Sequence, residues 1–480
     1  MSKLLKLGAL VAAGGAISGC AQKEQQARPN VVFILADDLG WGDLGCYGQK
    51  LVETPNIDAL ASRGMLFTQN YSGTTVSAPS RSCLLTGTHS GHTYIRGNLR
   101  VPPEGQFPLP EGMPNIFRDF KAAGYTTGAF GKWGLGPIGS TGDPNAQGVD
   151  KFVGFNCQTL AHSYYPDHIW DNNQKIVFED NVDEIPYGEG TYAPDIIHDA
   201  SLEFMETAVE NGQPFFMWYP TILPHAELIV PQDSLLTKYL GKFPETPYDG
   251  VDLGEPRFRV GGYCSQEAPH ATFAAMVSRL DMYVGEIVAK LKELGVYDNT
   301  IVIFSSDNGP HVEGGADPDF FDGNGPWKGY KRDLYEGGIR VPLIVEWPGV
   351  VEAGSTSDHM CAFWDMMPTF REIIGAESAE NPDGVSILPT LKGEKGQKEH
   401  EYLYFEFAER SRQALRKGDW KLIRMDIGAP TDRYELYNIP DDPGEENDVA
   451  AQNPEIVEEL KALMVEAHIP NSNFPLFAGE

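Results

Sequence analysis

The chain has 480 residues, 41% of them hydrophobic and 22% charged, with a formal net charge of −31. That length favours one large domain plus a smaller one, and the ordinary composition, free of repeats or low-complexity tracts, excludes disordered and solenoid architectures. The acidic balance argues against a nucleic-acid partner, though it permits a local cationic pocket.

Taken in chain order, the first twenty residues carry the three parts of an export signal: Lys3 and Lys6, an apolar stretch from Leu4 to Ile17, and small residues leading to a cysteine. Ile17-Ser18-Gly19-Cys20 resembles a bacterial lipobox, which implies a lipid on Cys20 and a periplasmic or cell-surface lipoprotein. Residues 21–28 read as a polar tether. The remaining Cys46, Cys83, Cys157, Cys264 and Cys361 are scattered and odd in number, so buried thiols are expected rather than a disulfide framework or a zinc site.

Val31-Val32-Phe33-Ile34-Leu35 is a continuous apolar run, the pattern of a strand buried on both faces. Helices are expected over 55–62, 113–123 and 192–209, and another through Phe273, Val277, Leu280, Val284, Ile287 and Leu291, closed by Gly295. Strands are expected over 126–130, 214–218, 300–304 and 341–345. This alternation predicts an α/β domain over 29–395, with a central mainly parallel or mixed sheet flanked by helices and its site along the carboxyl edge. Short alternating segments at 402–407, 414–416 and 420–425, then a helix over 454–467, predict a smaller C-terminal α+β domain over 396–480 with an antiparallel sheet.

Two acidic clusters end two of these strands. Asp37 and Asp38 follow the first, and Asp307-Asn308 follow the 300–304 run. Adjacent carboxylates repel unless neutralised, and this all-oxygen set suits a hard cation, Ca²⁺ or Mg²⁺, rather than zinc. Either pair alone also fits a helix cap or a turn. In Val76-Ser77-Ala78-Pro79-Ser80-Arg81, Pro79 can start a helix that Gly87 ends, which places Ser77 at a helix N-terminus where anions are favoured and Arg81 one turn on.

Ser77-Ala78-Pro79-Ser80-Arg81 with Leu84-Leu85-Thr86-Gly87 resembles the signature of the type I, formylglycine-dependent sulfatases of the alkaline phosphatase superfamily, in its serine version. The resemblance extends through Ala36-Asp37-Asp38-Leu39-Gly40, Thr54-Pro55-Asn56-Ile57-Asp58, Gly131-Lys132-Trp133, Ser306-Asp307-Asn308-Gly309, Glu336-Gly337-Gly338-Ile339-Arg340 and Leu436-Tyr437-Asn438-Ile439. It implies an alkaline phosphatase-like fold and one Ca²⁺ held by Asp37, Asp38, Asp307, Asn308 and the modified Ser77. Formylglycine would be formed from Ser77 by an anaerobic maturating enzyme before export. Arg81 would steady the modified residue, Lys132 and Lys331 would bind sulfate, and His225 would act as general acid; Lys328 competes with Lys331 for its role.

Many members of that family carry a histidine where this chain has Gly134; His89, His92 and His162 are candidates to supply one. His92, Arg96, His162 and Lys328 are candidate substrate contacts, because polar and aromatic loops suit sugar rings. The implied substrate is a sulfated carbohydrate, with exo-acting attack on a galactose or N-acetylgalactosamine sulfate as the finer expectation. A phosphomonoesterase or phosphodiesterase of the same superfamily, or a non-catalytic relative that binds sulfated glycans, are the alternatives.

Overall fold

The structure is a computed structural model; it describes residues 28–480 except 103, 183–188, 253, 259–261 and 378–382. The expected signal segment, Cys20 and nearly all of the tether therefore lie outside the described residues. No helix among the described residues is long and apolar enough to cross a membrane.

The apolar run forms the strand Asn30–Ala36, buried at every position and hydrogen-bonded in parallel to strands on both sides, Phe215–Pro220 and Thr300–Ser306. Its side chains alternate between two cores, as a pleated strand requires. Val32 and Ile34 join one core beneath the helices Ala193–Glu210 and Pro269–Glu293. Val31, Phe33 and Leu35 join the other, with Phe117, Phe120 and Phe370 of the helices Ile116–Ala122 and Met366–Ile374.

Ten strands make the sheet. Thr126–Lys132 and Lys151–Phe155 extend it in parallel beyond Phe215–Pro220, and the hairpin His168–Asp171 and Gln174–Val177 closes that edge. On the other side Leu343–Glu346 runs antiparallel between Thr300–Ser306 and Met65–Phe67, and Ser355–Ser357 forms the far edge. The sheet is therefore mixed, with five consecutive central strands parallel and their carboxyl ends side by side.

A separate antiparallel sheet follows, in the order Leu403–Phe407, Arg412–Lys417, Trp420–Met425, Arg433–Asn438, with the helix Pro454–Glu466 packed on one face. Its other face buries Leu403, Phe405, Ala414 and Ile423 against Tyr71, Val76 and Cys83, the segment that carries Ser77. Cys83, Cys157, Cys264 and Cys361 are buried free thiols and Cys46 is half-buried.

Candidate active site

Five groups of the candidate centre and the His225 loop follow the carboxyl edge of those parallel strands. Asp37 and Asp38 follow Ala36, Asp307 and Asn308 follow Ser306, Lys132 ends its own strand, and His225 lies five residues beyond Pro220. Asp38 has a φ of +62°, an uncommon conformation for a residue with a side chain.

Ser77 opens the helix Ser77–Thr86, which Gly87 ends in the left-handed conformation with its N–H on the Cys83 carbonyl. The Ser77 hydroxyl donates to Asp37 Oδ1 at 3.1 Å and lies 3.3 Å from Lys132 Nζ, which also donates to Asp37 Oδ2 at 2.7 Å. Arg81 is fully buried. Its Nε and Nη2 donate to Asp307 Oδ2 at 3.0 and 2.8 Å, and its Nη1 donates to the Lys132 carbonyl, so one guanidinium ties the ends of two strands to the helix that carries Ser77. Asn98 Oδ1, twenty residues downstream, accepts from Ala78 N at 3.2 Å.

A second cationic arm meets Asp38. Lys331 Nζ donates to Asp38 Oδ2 at 2.7 Å and lies 3.0 Å from His225 Nε2. His225 Nδ1 contacts the Ala226 carbonyl, which assigns the proton to Nδ1 and leaves the Nε2 lone pair toward Lys331. The ring is sandwiched between His162, at 4.9 Å and 19°, and His311, at 5.6 Å and 22°. The Tyr164 hydroxyl clamps this loop through the Ile222 and His225 carbonyls at 2.7 and 2.8 Å.

These environments shift the ionisations. Burial, then the Lys331 and Lys132 charges, push His225 well below the usual imidazole range. Burial also lowers the Lys132 ammonium against the pull of Asp37. Burial works against the Lys331 ammonium, yet Asp38 and Glu313 hold its pKa above the ordinary lysine value. Asp307 is raised by burial and by Asp37.

The donor set fits a hard cation. Asp37, Asp38, Asp307 and Asn308 present oxygen ligands, and Asn308 Oδ1 is buried without a hydrogen-bond partner while Nδ2 is held by Asp38 and the Gly309 carbonyl. Ligand atoms of Asp37, Asp38 and His225 also lie within 4.8 Å of one another. The His225 nitrogens are already committed to Ala226 and Lys331, so the oxygen set is the better cage.

Ser77, Arg81, Lys132, His225, Lys331, Asp37, Asp38, Asp307 and Asn308 thus converge, and His162 joins them through its stack on His225. The other candidate substrate contacts are engaged elsewhere. Arg96 is buried and donates to Glu406 Oε1 at 2.9 Å and to the Thr93 and Ile469 carbonyls, a strut between the two domains. Lys328 donates to the Glu445 carbonyl at 2.8 Å and lies over the Tyr335 ring. His92 is held by Asp383 at 2.9 Å, with the His89 ring tilted against it at 4.0 Å. Sequence reasoning did not single out His311, just past the Asp307-Asn308-Gly309 motif; Tyr164 and Asn98 lay in polar and aromatic segments expected to face the sugar but were given no role of their own.

The family model described as Sulfatase matches residues 29–376. The chain belongs to the sulfatase family. A second model, the C-terminal region of N-sulphoglucosamine sulphohydrolase, matches residues 325–469 of this sulfatase. An N-acetylgalactosamine-6-O-sulfatase of Bacteroides thetaiotaomicron is 31% identical over 93% of this chain and 96% of its own length. The N-acetylgalactosamine-6-sulfatase of Rattus norvegicus is 30% identical over 76% of this chain and 66% of its own. Among solved structures, Ps i-CgsB in complex with k-i-k-neocarrahexaose superposes with a TM-score of 0.74 at 28% identity, covering 92% of this chain and 94% of that one. The phosphonate monoester hydrolase of Agrobacterium radiobacter shares the fold at a TM-score of 0.62 and 21% identity, over 92% of this chain and 96% of that one.

Proposed function

We propose that this sulfatase hydrolyses a sulfate ester on a carbohydrate, acting from the chain end on a galacto-configured sugar such as a 4-O- or 6-O-sulfated galactose or N-acetylgalactosamine. The observation that carries the reading is the pair of cationic arms around Ser77 and the acidic floor: Lys132 on Ser77 and Asp37, Lys331 on Asp38 and His225. The sugar assignment leans on relatives that act on N-acetylgalactosamine 6-sulfate.

Oxidised to formylglycine and hydrated, residue 77 would supply an oxygen nucleophile whose second hydroxyl lets the aldehyde re-form as sulfate departs. A Ca²⁺ held by Asp37, Asp38, Asp307 and Asn308 would supply positive charge beside the sulfate oxygens. Within the chain, Asp37 accepts the hydroxyl hydrogen of residue 77 and orients its oxygen, and Arg81 fixes Asp307 beside it. Lys132 offsets the charge on the transferring group. The departing sugar oxygen takes a proton from the Lys331–His225 pair: the Lys331 ammonium gives one to His225 Nε2, which passes it on, with the imidazole steered by Tyr164. Oxidation of serine implies an anaerobic maturating partner acting before export, and the lipobox at Cys20 implies a lipid-anchored protein at the periplasm or cell surface.

The test is intact-peptide mass spectrometry across Ser77 on protein co-expressed with an anaerobic maturase, followed by sulfate release from defined mono- and oligosaccharide sulfates and a matching phosphate ester. Formylglycine with release from a terminal galacto-configured sulfate supports the reading. Unmodified serine with phosphate release would establish the phosphoesterase alternative. Glycan capture without any release would establish the binding alternative.

A further inference from the structure

Gly134 has a φ of +74°, and a Cβ built there would lie 2.5 Å from Gln158 Nε2. The volume a side chain at 134 would fill is therefore held by the Gln158 amide. Gln158 is 5% exposed, yet its Nε2 is fully buried with no hydrogen-bond partner. A buried amide donor left unpaired is costly, of the kind normally satisfied by water or a ligand.

The chain path brings this donor to the Lys132 end of its strand. Along the Thr126–Lys132 strand and its continuation, Ala129 and Trp133 enter one core and Phe130 the other. By strand alternation Lys132, the last residue of the strand, follows Phe130, and Gly134 lies two residues beyond it. The backbone bonds Trp133 N to Phe155 O, at 2.9 Å, and Gly134 N to Asn156 O, at 3.3 Å, draw the 156–162 segment alongside. His162, four residues after Gln158, stacks on His225.

We propose that Gln158 is a substrate-contacting residue, donating from Nε2 to an oxygen of the bound sulfate beside Lys132. This rests on the sulfatase reading above and adds a neutral donor that no titration can switch off. An anion selects the Nε2 face of the amide, since the carbonyl oxygen cannot donate.

The experiment is calorimetric titration of inorganic sulfate into the matured full-length protein and two variants, each checked for its thermal midpoint. Gln158→Met keeps the volume and removes the donor; sulfate affinity should fall about tenfold, the effect of one hydrogen bond to a charged group. Gln158→Glu puts a carboxylate at the same point and should weaken binding by about a hundredfold or more. Should Gln158→Met lower the thermal midpoint, Gln158→Asn, which withdraws the amide by one methylene, should show the same loss. Sulfate binding equal to wild type in the folded variants overturns the Gln158 assignment while leaving the sulfatase site standing. No sulfate binding by the matured wild type overturns both.

Discussion

Lys331 Nζ stands 3.0 Å from His225 Nε2 and 2.7 Å from Asp38 Oδ2, so one ammonium joins the acidic floor of the site to the imidazole above it. His225 is held neutral by burial and by that neighbouring charge, with its Nδ1 proton turned to the Ala226 carbonyl. In this tautomer Nε2 carries a lone pair, so to act as an acid it must first take a proton from the Lys331 ammonium at hydrogen-bond distance.

The consequence is a dependence on the leaving group. For a sugar alcohol, whose alkoxide is a poor leaving group, His225→Asn should lower kcat by about 10²- to 10⁴-fold. For an aryl sulfate such as 4-nitrophenyl sulfate, whose phenolate needs no proton, the loss should stay within about tenfold. Lys331→Met should reproduce that contrast and also raise KM, since it removes a positive charge. Equal losses on both substrates would remove His225 from the acid role.

Calcium should stabilise the folded protein without being required for folding. In the structure the carboxylates already have partners, Lys132 on Asp37, Lys331 on Asp38 and Arg81 on Asp307. Chelation should therefore leave a folded protein with a lower thermal midpoint. Restoring Ca²⁺ to a hundred times its dissociation constant should return about 2.7 kcal/mol. Asp38→Asn should reduce that gain. A calorimetric titration with no heat and no change in midpoint would count against the oxygen cage.

The parts of this site that could be read in the sequence are those in which local pattern and long-range placement coincide. The apolar run before Asp37 is buried on both faces and could hardly be anything but a central strand, so the acidic pairs after it and after Ser306 had to share one sheet edge. The five-residue distance to Glu336 ranked Lys331 ahead of Lys328, but sequence could not show what holds it in place. It is held by a turn in which Arg332 takes a φ of +77° and its N–H bonds to the Thr75 carbonyl, fastening Lys331 to the nucleophile loop. Arg96 looked like a free cation because its partner Glu406 lies 310 residues away. The reversed direction of Leu343–Glu346 and the three-residue strands Met65–Phe67 and Ser355–Ser357 were also illegible, since direction leaves no trace in composition and three residues establish no period.

Between the two domains lies a buried ionic cluster. Glu336 accepts from Tyr71 at 2.7 Å, Lys421 at 3.0 Å and Arg340 at 3.1 Å, with Arg416 at 3.5 Å, and Lys421 also lies 2.9 Å from Glu445. Burial would raise the Glu336 carboxyl, but Lys421, Arg416 and Arg340 hold it far below its usual range. Lys421→Met should cost about 3–5 kcal/mol in denaturant unfolding, because it leaves buried carboxylates short of a counter-charge. Replacing Lys461, which pairs with Glu458 on an exposed helix face, should cost under about 1 kcal/mol. Similar losses at the two positions would show that the cluster does not fasten the domains.

Asp43 provides a pH signature separate from the catalytic groups. Its carboxyl is buried behind the Asp37-Asp38 turn, where it accepts from Gly40 N at 2.7 Å. Burial raises its pKa to about 7; the Gly40 N–H opposes that rise and Asp322 adds to it. An acid raised on folding binds its proton more tightly in the native state. Its stabilising effect is therefore complete below the unfolded pKa of about 3.9 and is lost as the pH climbs to about 7. Over that window the native state holds one more proton than the unfolded chain, so stability falls by about 1.4 kcal/mol per pH unit from this group alone. Asp43→Asn keeps an acceptor for Gly40 N and cannot ionise. In urea unfolding the variant should lose less stability than wild type between pH 4 and pH 7, with the difference reaching about 4 kcal/mol. Parallel stability curves for the two proteins would mean that Asp43 is ionised in the folded state throughout, and that its burial is relieved by a partner other than a proton.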